Sequence, residues 1–240
     1  MLTYVTVKRC NIPCFLAIFQ TVLKREQTSH HMDSSIRETL SRELEESGND
    51  SKNPDVWYEL GGKFYDEGNV KRAEVAFQVA LDLDPGFVEA WRDLGAALFV
   101  QNRFDEAEQA LKGALEHSSD ESDVWYNLGC VYMATDQLDD AELSFRKASE
   151  LNPEDSDTLC NLGVVLSNLG ESEEAERVLK KAIEIRPDHF VGWLNLMSYY
   201  EGEGRSKDAE ETHERALELI PDFDLFLEDL TDFVEDAEEE

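Results

Sequence analysis

Apolar and small residues recur along this chain with a period of 34 positions. Five successive units share the pattern, at residues 54–87, 88–121, 122–155, 156–189 and 190–223. Positions 4, 7 and 11 of each unit are apolar or aromatic, and this i, i+3, i+7 spacing places three side chains on one face of an α-helix. Position 4 is the most distinctive, with Trp57, Trp91, Trp125, Leu159 and Trp193.

A second helix is predicted in the second half of each unit, where positions 20 and 27 are alanine in all five copies. Between the two helices, position 15 holds only residue types that tolerate the left-handed conformation that ends a helix: Gly68, Asn102, Asp136, Gly170 and Gly204. Proline at position 32 ends the second helix in four units, and Ser119 replaces it once. Each unit is therefore predicted to be a helical hairpin. Glycine at position 8 of the first four units allows the two helices of a hairpin to approach closely: Gly61, Gly95, Gly129 and Gly163.

These columns resemble the tetratricopeptide-repeat family, whose W-x2-L-G-x2-Y, A, F, A, P pattern they match over 170 of the 240 residues. The resemblance implies an all-α fold, a right-handed superhelical solenoid of antiparallel helix pairs. One hairpin cannot bury its apolar face alone, and stacking on its neighbours produces a continuous core. We therefore interpret the tryptophans of position 4 as core residues and not as ligand-stacking groups.

Both ends of the repeat array are predicted to carry a covering helix. Residues 32–53 contain an N-terminal helix, with a capping box formed by Ser35 and Glu38 and an end at Gly48. Its apolar stripe is Ile36, Leu40 and Leu44. Residues 224–240 are predicted to form an acidic C-terminal capping helix and tail, with the apolar side made by Phe226, Leu230, Phe233 and Val234.

The fifth unit departs from the pattern where such a cap would touch it. Met197 replaces the glycine of position 8, and His213 replaces the large apolar residue of position 24. We interpret both changes as altered packing against a terminal helix.

Residues 1–31 differ in composition from everything after them. They hold four bases, Lys8, Arg9, Lys24 and Arg25, and one acid, whereas residues 32–240 hold the other 18 bases and 53 acids. The apolar run 12–23 is shorter than the roughly 20 residues of a membrane span. A targeting segment and an extension upstream of a natural start at Met32 both fit this composition. We favour the extension, which would not be part of the fold.

The net charge of -32 argues against nucleic acid and anionic membranes as partners, because phosphate binding needs clustered lysine and arginine. Four cysteines without close pairing do not resemble a disulfide framework, which favours a reducing, cytoplasmic location. No catalytic motif is found, and we predict neither an enzyme nor a cofactor. Part of a calcium-loop pattern at Asp82 and Asp84 lacks its closing glutamate, and Cys130 and Cys160 are more typical of small core residues than of metal ligands.

The resemblance implies that partners bind in a concave groove lined by the first helices. Position 6 holds Asn127, Asn161 and Asn195, and such amides suit the main chain of an extended peptide. The bases that would clamp a C-terminal carboxylate are absent from the corresponding columns. The predicted site combines these asparagines with an apolar floor and an acidic rim: Tyr58, Tyr65, Phe99, Tyr126, Met133, Asp123 and Asp157.

We therefore expect a scaffold or adaptor that binds a basic or neutral protein segment in the groove, since a groove of one charge concentrates ligands of the other. The alternative is a salt-adapted acidic regulatory or assembly subunit that docks a folded partner by its cap or outer face. The sequence indicates neither the partner nor an oligomeric state.

Overall fold

The computed structural model describes residues 30–46, 48–225 and 227. They form two compact units, one ending at Leu151 and one beginning at Asn152. The first unit contains seven helices: α1 (His30–Glu46), α2 (Pro54–Asp66), α3 (Val70–Leu83), α4 (Val88–Val100), α5 (Phe104–His117), α6 (Ser122–Ala134) and α7 (Leu138–Leu151). The second contains four: α8 (Ser156–Leu169), α9 (Ser172–Ile185), α10 (Phe190–Gly202) and α11 (Ser206–Leu219). Each 34-residue interval thus holds one pair of helices.

The break between the helices of each pair lies where position 15 predicted it. All five residues of this column have positive φ, between 58° at Asn102 and 82° at Gly170. The residue that follows donates its N–H back into the preceding helix, as Asn69 does to Phe64 O at 2.8 Å. The left-handed residue therefore closes the first helix, and the predicted hairpin is confirmed.

Close approach of the two helices depends on the glycine at position 8. A Cβ placed on Gly61 would lie 2.5 Å from the ring of Phe77, and one on Gly163 would lie 2.5 Å from Leu179 Cγ. The same contact, with position 24 of the same unit, recurs at Gly95 and Gly129. Each glycine therefore leaves room for one large side chain of the second helix.

The core lies between the helices, and its columns are those of the repeat. The alanines of positions 20 and 27 are all buried. The tryptophan column is not uniform: Trp57 and Trp193 are buried, but Trp91 and Trp125 are half-buried. Trp57 and Trp193 are therefore core residues as predicted, whereas Trp91 and Trp125 lie at the edge of the core with part of each ring exposed.

Every tryptophan of position 4 also makes one polar contact of the same kind. Its indole N–H donates to the carbonyl six residues earlier, in the loop that precedes its helix. The distances lie between 2.8 Å, for Trp57 with Ser51 O, and 2.9 Å, for Trp125 with Ser119 O. The indole therefore fixes the loop to the helix that follows it, a role that a purely apolar residue does not supply.

The N-terminal helix is longer than predicted. α1 begins at His30, so Ser35 lies within the helix and is not its N-cap, and the predicted capping box is wrong. The predicted end is correct, since Gly48 has a φ of 80° and donates its N–H to Glu45 O. Leu40 and Leu44 are buried, and Arg37 of α1 binds Asp82 of α3 at 2.6 Å.

In the fifth unit, the two exceptional residues serve the packing of the chain end. Met197 is buried in a cluster with Trp193 and Phe223, together with Ala216 and Ile220. His213 lies against the ring of Phe223 and donates to Asp224 Oδ1 at 2.6 Å. The expected altered packing is therefore present. The predicted capping residues Phe226, Leu230, Phe233 and Val234 lie outside the residues whose side chains are described.

Glutamate occupies position 21 in all five units. In three of them it links one hairpin to the next, and Glu108 does so by accepting a hydrogen bond from the hydroxyl of Tyr132 at 3.1 Å. Glu74 binds Arg103 at 2.7 Å, and Glu176 binds Arg205 at 2.6 Å. Glu176 also accepts a hydrogen bond from the hydroxyl of Tyr200, whose ring lies 4.5 Å from the guanidinium of Arg205. These contacts add polar links between successive helix pairs.

The ion pair of Glu176 predicts an acid-dependent stability. Hydrogen bonds from Arg205 and Lys180 lower the pKa of Glu176 from 4.5 to about 2. Its stabilising contribution is complete above pH 4.5 and is lost as the pH falls towards 2. We expect Glu176→Gln to lower the free energy of unfolding by about 1 kcal/mol at pH 7, because the pair lies near the surface and is screened.

Urea unfolding between pH 2 and pH 7 measures this effect, and the difference between variant and wild type should shrink below pH 4.5. The control is Glu184→Gln on the same helix, since Glu184 is exposed and has no side-chain partner among the described residues. A constant difference across the whole pH range would contradict an origin in the carboxylate charge.

Candidate protein-binding face

Three first helices of the unit that ends at Leu151 are joined by a chain of polar contacts. The hydroxyl of Tyr58 on α2 donates to Asp93 Oδ2 on α4 at 2.9 Å. The neighbouring Arg92 donates from Nε to Asp93 Oδ1 at 2.7 Å, and its Nη1 lies 3.7 Å from Asp123 Oδ2 on α6. Position 5 of α2, positions 5 and 6 of α4 and position 2 of α6 therefore share one surface.

The ionisation of these groups reflects their mutual contacts. Burial, followed by the hydrogen bond to Asp93, raises the pKa of Tyr58 to about 12, so that its hydroxyl stays a donor at neutral pH. Burial by itself would lower the pKa of Arg92, but the hydrogen bond and charge of Asp93 outweigh it and raise that pKa. The single base of this surface is thus firmly held by its own acidic neighbours.

Four further carboxylates of α2 and α4 are exposed, at positions 2, 6 and 13, which the tetratricopeptide resemblance assigns to the groove: Asp55, Glu59, Asp66 and Glu89. No described side chain forms a hydrogen bond or ion pair with any of these four carboxylates. Burial, followed by the charges of Asp93 and Asp66, raises the pKa of Tyr65. We call the whole surface the first-helix face and define it as Asp55, Tyr58, Glu59, Tyr65, Asp66, Glu89, Arg92, Asp93, Asp123, Tyr126, Asn127 and Met133.

The predicted apolar floor is only partly available at this face. Tyr58, Tyr65, Tyr126 and Met133 are half-buried. Phe99 is 8% exposed and packs edge-on against Phe104, with ring centroids 5.5 Å apart. Phe99 is therefore a core residue, and its assignment to the binding site was wrong.

The three asparagines of position 6 do not share one environment. Asn127 is half-buried on α6. In the compact unit that begins at Asn152, Asn161 is 0% exposed and Asn195 is 6% exposed. The sequence-based expectation that all three side chains face an open groove is therefore wrong for Asn161 and Asn195. The residues that surround each asparagine decide its burial, and the repeat column alone does not show them. Only Asn127 keeps the exposure that binding a peptide main chain requires.

Asp157 was predicted to be part of an acidic rim, but it lies at the centre of a cluster of polar side chains from α8 and from the loop before α10. It lies 2.8 Å from Arg186 Nη2 and 3.1 Å from His189 Nε2. The hydrogen bond from His189, and then that from Arg186, lower the pKa of Asp157 despite its partial burial. Ser156 Oγ donates to Ala182 O and lies 2.9 Å from His189 Nδ1. Asp157 thus joins α8 to the loop before α10 and is no free rim charge.

The two described cysteines are free thiols and both are buried. Burial, and then the charge of Asp157, raise the pKa of Cys160 to about 12, which leaves its thiol protonated and unreactive. Within the described residues, no group of three or more His, Cys, Asp or Glu side chains is arranged to hold a metal ion. None of the described helices has the length and apolarity needed to cross a membrane.

The sequence profile of the family described as "Cilia and flagella-associated protein 70 C-terminal domain" matches residues 19–231. The chain belongs to this family. The match begins inside the basic segment 1–31 and extends into the predicted C-terminal cap. No curated protein matches the chain.

Solved structures of other tetratricopeptide proteins resemble this family member in fold. MamA is 25% identical over 69% of this chain and 90% of its own, with a TM-score of 0.62. YrrB, described as a TPR protein with an unusual peptide-binding site, is 24% identical over 81% and 99%, with a TM-score of 0.61. A thermophilic TPR protein of Thermus thermophilus is 24% identical over 73% and 96%, with a TM-score of 0.59. The predicted all-α class of tandem helix pairs is confirmed.

A tetratricopeptide fold makes this chain, in general terms, a scaffold for protein–protein interaction, and proteins with this fold are typically not enzymes. The finer features of the face were only partly visible in the sequence. The link from Tyr58 through Asp93 and Arg92 to Asp123 was missed, although opposite charges at adjacent positions of neighbouring first helices were a usable signal. Asp66, at position 13, was not among the predicted site residues, because the prediction used positions 2, 5, 6 and 12.

Proposed function

We propose that this chain is a non-enzymatic scaffold that binds a basic or neutral protein segment on its first-helix face. The observation that carries the proposal is the chain of contacts from Tyr58 to Asp123, which joins α2, α4 and α6 into one surface. That surface holds six acids and one base, and four of its carboxylates have no described partner. Such a surface attracts cationic side chains and accelerates their association.

The arrangement suits an extended segment with spaced basic residues. Arg92 neutralises Asp93 and Asp123 in part, so the exposed carboxylates of Glu59, Asp66 and Glu89 supply most of the negative charge, with Lys63 as the base within one turn of Glu59 and Asp66 on α2. Half-buried Tyr58 and Tyr65 offer apolar ring surface beside these acids. Asn127 adds an amide that both donates to and accepts from a peptide main chain. The proposed segment therefore carries arginine or lysine next to apolar residues.

Family membership supports a cellular setting for this scaffold. The family is described by the C-terminal domain of a protein associated with cilia and flagella. We propose that the partner segment belongs to a protein of such an organelle, reached from the cytoplasmic side. Reduced cysteines are consistent with that setting.

Neutralising the face should weaken partner binding without unfolding the chain. We expect the triple variant Glu59→Gln, Asp66→Asn, Glu89→Gln to lower the affinity about tenfold, or roughly 0.5 kcal/mol for each exposed charge. Association should slow more than dissociation changes, because exposed charges act mainly on encounter. The partner segment is first captured by the full chain from lysate of ciliated cells, and it is then titrated as a purified peptide by calorimetry.

The matched control neutralises three exposed acids of the second helices, with Asp105→Asn, Glu116→Gln and Asp139→Asn. It changes the net charge by the same amount, and none of these three acids has a described partner. The variant Asn127→Ala adds a test of main-chain binding, with an expected cost of about 1 to 3 kcal/mol. If the control weakens binding as much as the face variant does, the first-helix face is not the site.

That result would favour the salt-adapted alternative, in which a folded partner docks on the outer helices, where Leu143 is 56% exposed. Ionic strength separates the two proposals. Binding of a basic segment to the face weakens as salt rises, whereas the folding stability of a salt-adapted protein increases.

A further inference from the structure

The first-helix face and the start of the chain are complementary in charge. The face carries six acids and Arg92, with Lys63 beside it on α2, and Glu59, Asp66 and Glu89 are exposed without described partners. Residues 1–29 carry four bases and one acid, in a chain that is otherwise strongly acidic. Almost a fifth of all bases of the protein therefore lie in its first 29 residues.

The same segment also has the apolar character that the face accommodates. Its basic residues flank the apolar run 12–23, with Lys8 and Arg9 before it and Lys24 and Arg25 after it. The face offers both kinds of group, since the half-buried rings of Tyr58 and Tyr65 lie on the same helix as the exposed carboxylates of Glu59 and Asp66. The segment thus has the composition that the proposed function assigns to a partner, arginine and lysine next to apolar residues.

We propose that residues 1–29 bind the first-helix face of the same chain and regulate it by competing with the external partner. This inference rests on the proposed function for the identity of the face, and it adds an occupant and a mode of control. The occupant is named by charge complementarity and by its covalent attachment next to α1. The sequence alone favoured a segment outside the fold, and we propose this binding instead because exposed carboxylates of α2 and α4 have no partner among the described residues.

The attachment point makes such binding geometrically feasible. α1 begins at His30 and is held on α3 by the contact between Arg37 and Asp82. An extended chain covers about 3.3 Å per residue, so a segment of this length reaches up to roughly 95 Å. The family profile begins at residue 19, so that Lys24 and Arg25 belong to the matched domain.

Tethering gives the segment an advantage over a free ligand. A segment on a short linker is present at an effective concentration in the millimolar range. If it occupies the face about nine-tenths of the time, the apparent affinity for an external partner falls about tenfold. Removing the positive charge of the segment should restore that affinity.

Carbodiimide cross-linking of the full chain tests the proposal without any external partner. The reagent joins a lysine amine to a carboxylate in direct contact, and the links are mapped by mass spectrometry. We expect Lys8 or Lys24 to be joined to Glu59, Asp66 or Glu89, and these links to decline as salt is raised. The ion pairs of Lys112 with Glu108, at 2.6 Å, and of Lys180 with Glu176, at 2.7 Å, serve as internal positive controls.

Two variants and one mixing experiment make the result decisive. The triple variant Glu59→Gln, Asp66→Asn, Glu89→Gln should abolish the links, whereas the control Asp105→Asn, Glu116→Gln, Asp139→Asn should leave them unchanged. Mixing isotope-labelled with unlabelled chains shows whether the links form within one chain. Links only between different chains would overturn the proposal. A second result would also overturn it. In that result the control pairs are cross-linked, but Lys8 and Lys24 are joined to acids outside the face or to no acid at all.

Competition with the external partner is tested separately. Substitution of Lys8, Arg9, Lys24 and Arg25 by glutamine in the full chain should raise the affinity for the captured partner peptide about tenfold. An unchanged affinity would overturn the regulatory part of the proposal. The two proposals fail in different ways. If only the proposed function is wrong, the cross-links still form, but neutralising the face leaves partner binding unchanged.

Discussion

Replacing Trp57 by alanine is expected to lower the free energy of unfolding by about 3 to 5 kcal/mol, the range found for large aromatic residues removed from cores. Trp57 is 1% exposed, and its indole N–H donates to Ser51 O at 2.8 Å. The substitution therefore removes buried apolar area and also frees the loop that precedes α2. Because each helix pair supports its neighbour, the loss should extend beyond the first pair.

Trp125 provides a matched comparison, because it occupies the same repeat position as Trp57 and lies in the same compact unit, which ends at Leu151. Its indole makes the same kind of hydrogen bond, to Ser119 O at 2.9 Å, but its side chain is partly exposed. We expect Trp125→Ala to lower the free energy of unfolding by less than Trp57→Ala does, since the transfer free energy follows the buried area. Equilibrium urea unfolding of both variants measures the difference. Equal losses would mean that the hydrogen bond, common to both, dominates the contribution of this column.

Alanine substitutions at two adjacent glycines of α2 are expected to change stability in opposite directions. A Cβ on Gly61 would lie 2.5 Å from the ring of Phe77, which is itself buried, whereas a Cβ on Gly62 meets no atom within 4 Å. We expect Gly61→Ala to cost about 1 to 3 kcal/mol through overpacking. Gly62→Ala should instead stabilise the helix by about 0.4 to 1 kcal/mol, because alanine restricts the unfolded chain.

Thermal and urea unfolding of the two variants, side by side, checks this pair of expectations. Both substitutions add the same methyl group to the same helix, so helix propensity cancels in the comparison and only the environment of the Cβ differs. A stabilised Gly61→Ala variant would show that Phe77 moves at little cost. In that case the glycine column would not be needed for close helix approach.

The first-helix face is coupled to the core through Tyr58. The ring of Tyr58 lies 5.9 Å from that of Phe77 on α3 and 4.9 Å from that of Phe87, whereas Glu59 is exposed. A rigid scaffold with its recognition residues on regular helices holds them in fixed mutual positions. The face therefore depends on the core for its geometry, and a substitution that displaces Phe77 is expected to displace Tyr58 as well.

The sequence by itself determined the helix pairs and their boundaries. The residues of position 15 act through their left-handed backbone conformation. The glycines of position 8 act through a contact at a fixed spacing within one repeat unit. A periodic sequence pattern shows both kinds of effect. The alanine columns predicted buried positions for the same reason. Met197 and His213 were correctly assigned to end packing, because a departure from a strict repeat marks a changed neighbour.

The exposure of individual side chains and the pairing of charges were decided only by the tertiary structure. Asn127, Asn161 and Asn195 share one column, yet only Asn127 stays partly exposed, since burial depends on neighbours that differ from one unit to the next. Asp123 and Asp157 are likewise equivalent in the repeat. Asp157 is held by Arg186 and His189, whereas Asp123 remains 71% exposed with a single distant guanidinium. Glu74 and Glu176 pair with arginines of the following repeat unit, whereas Asp157 pairs with Arg186 and His189 of its own unit. A pattern with one residue per column does not state which of these side chains meet.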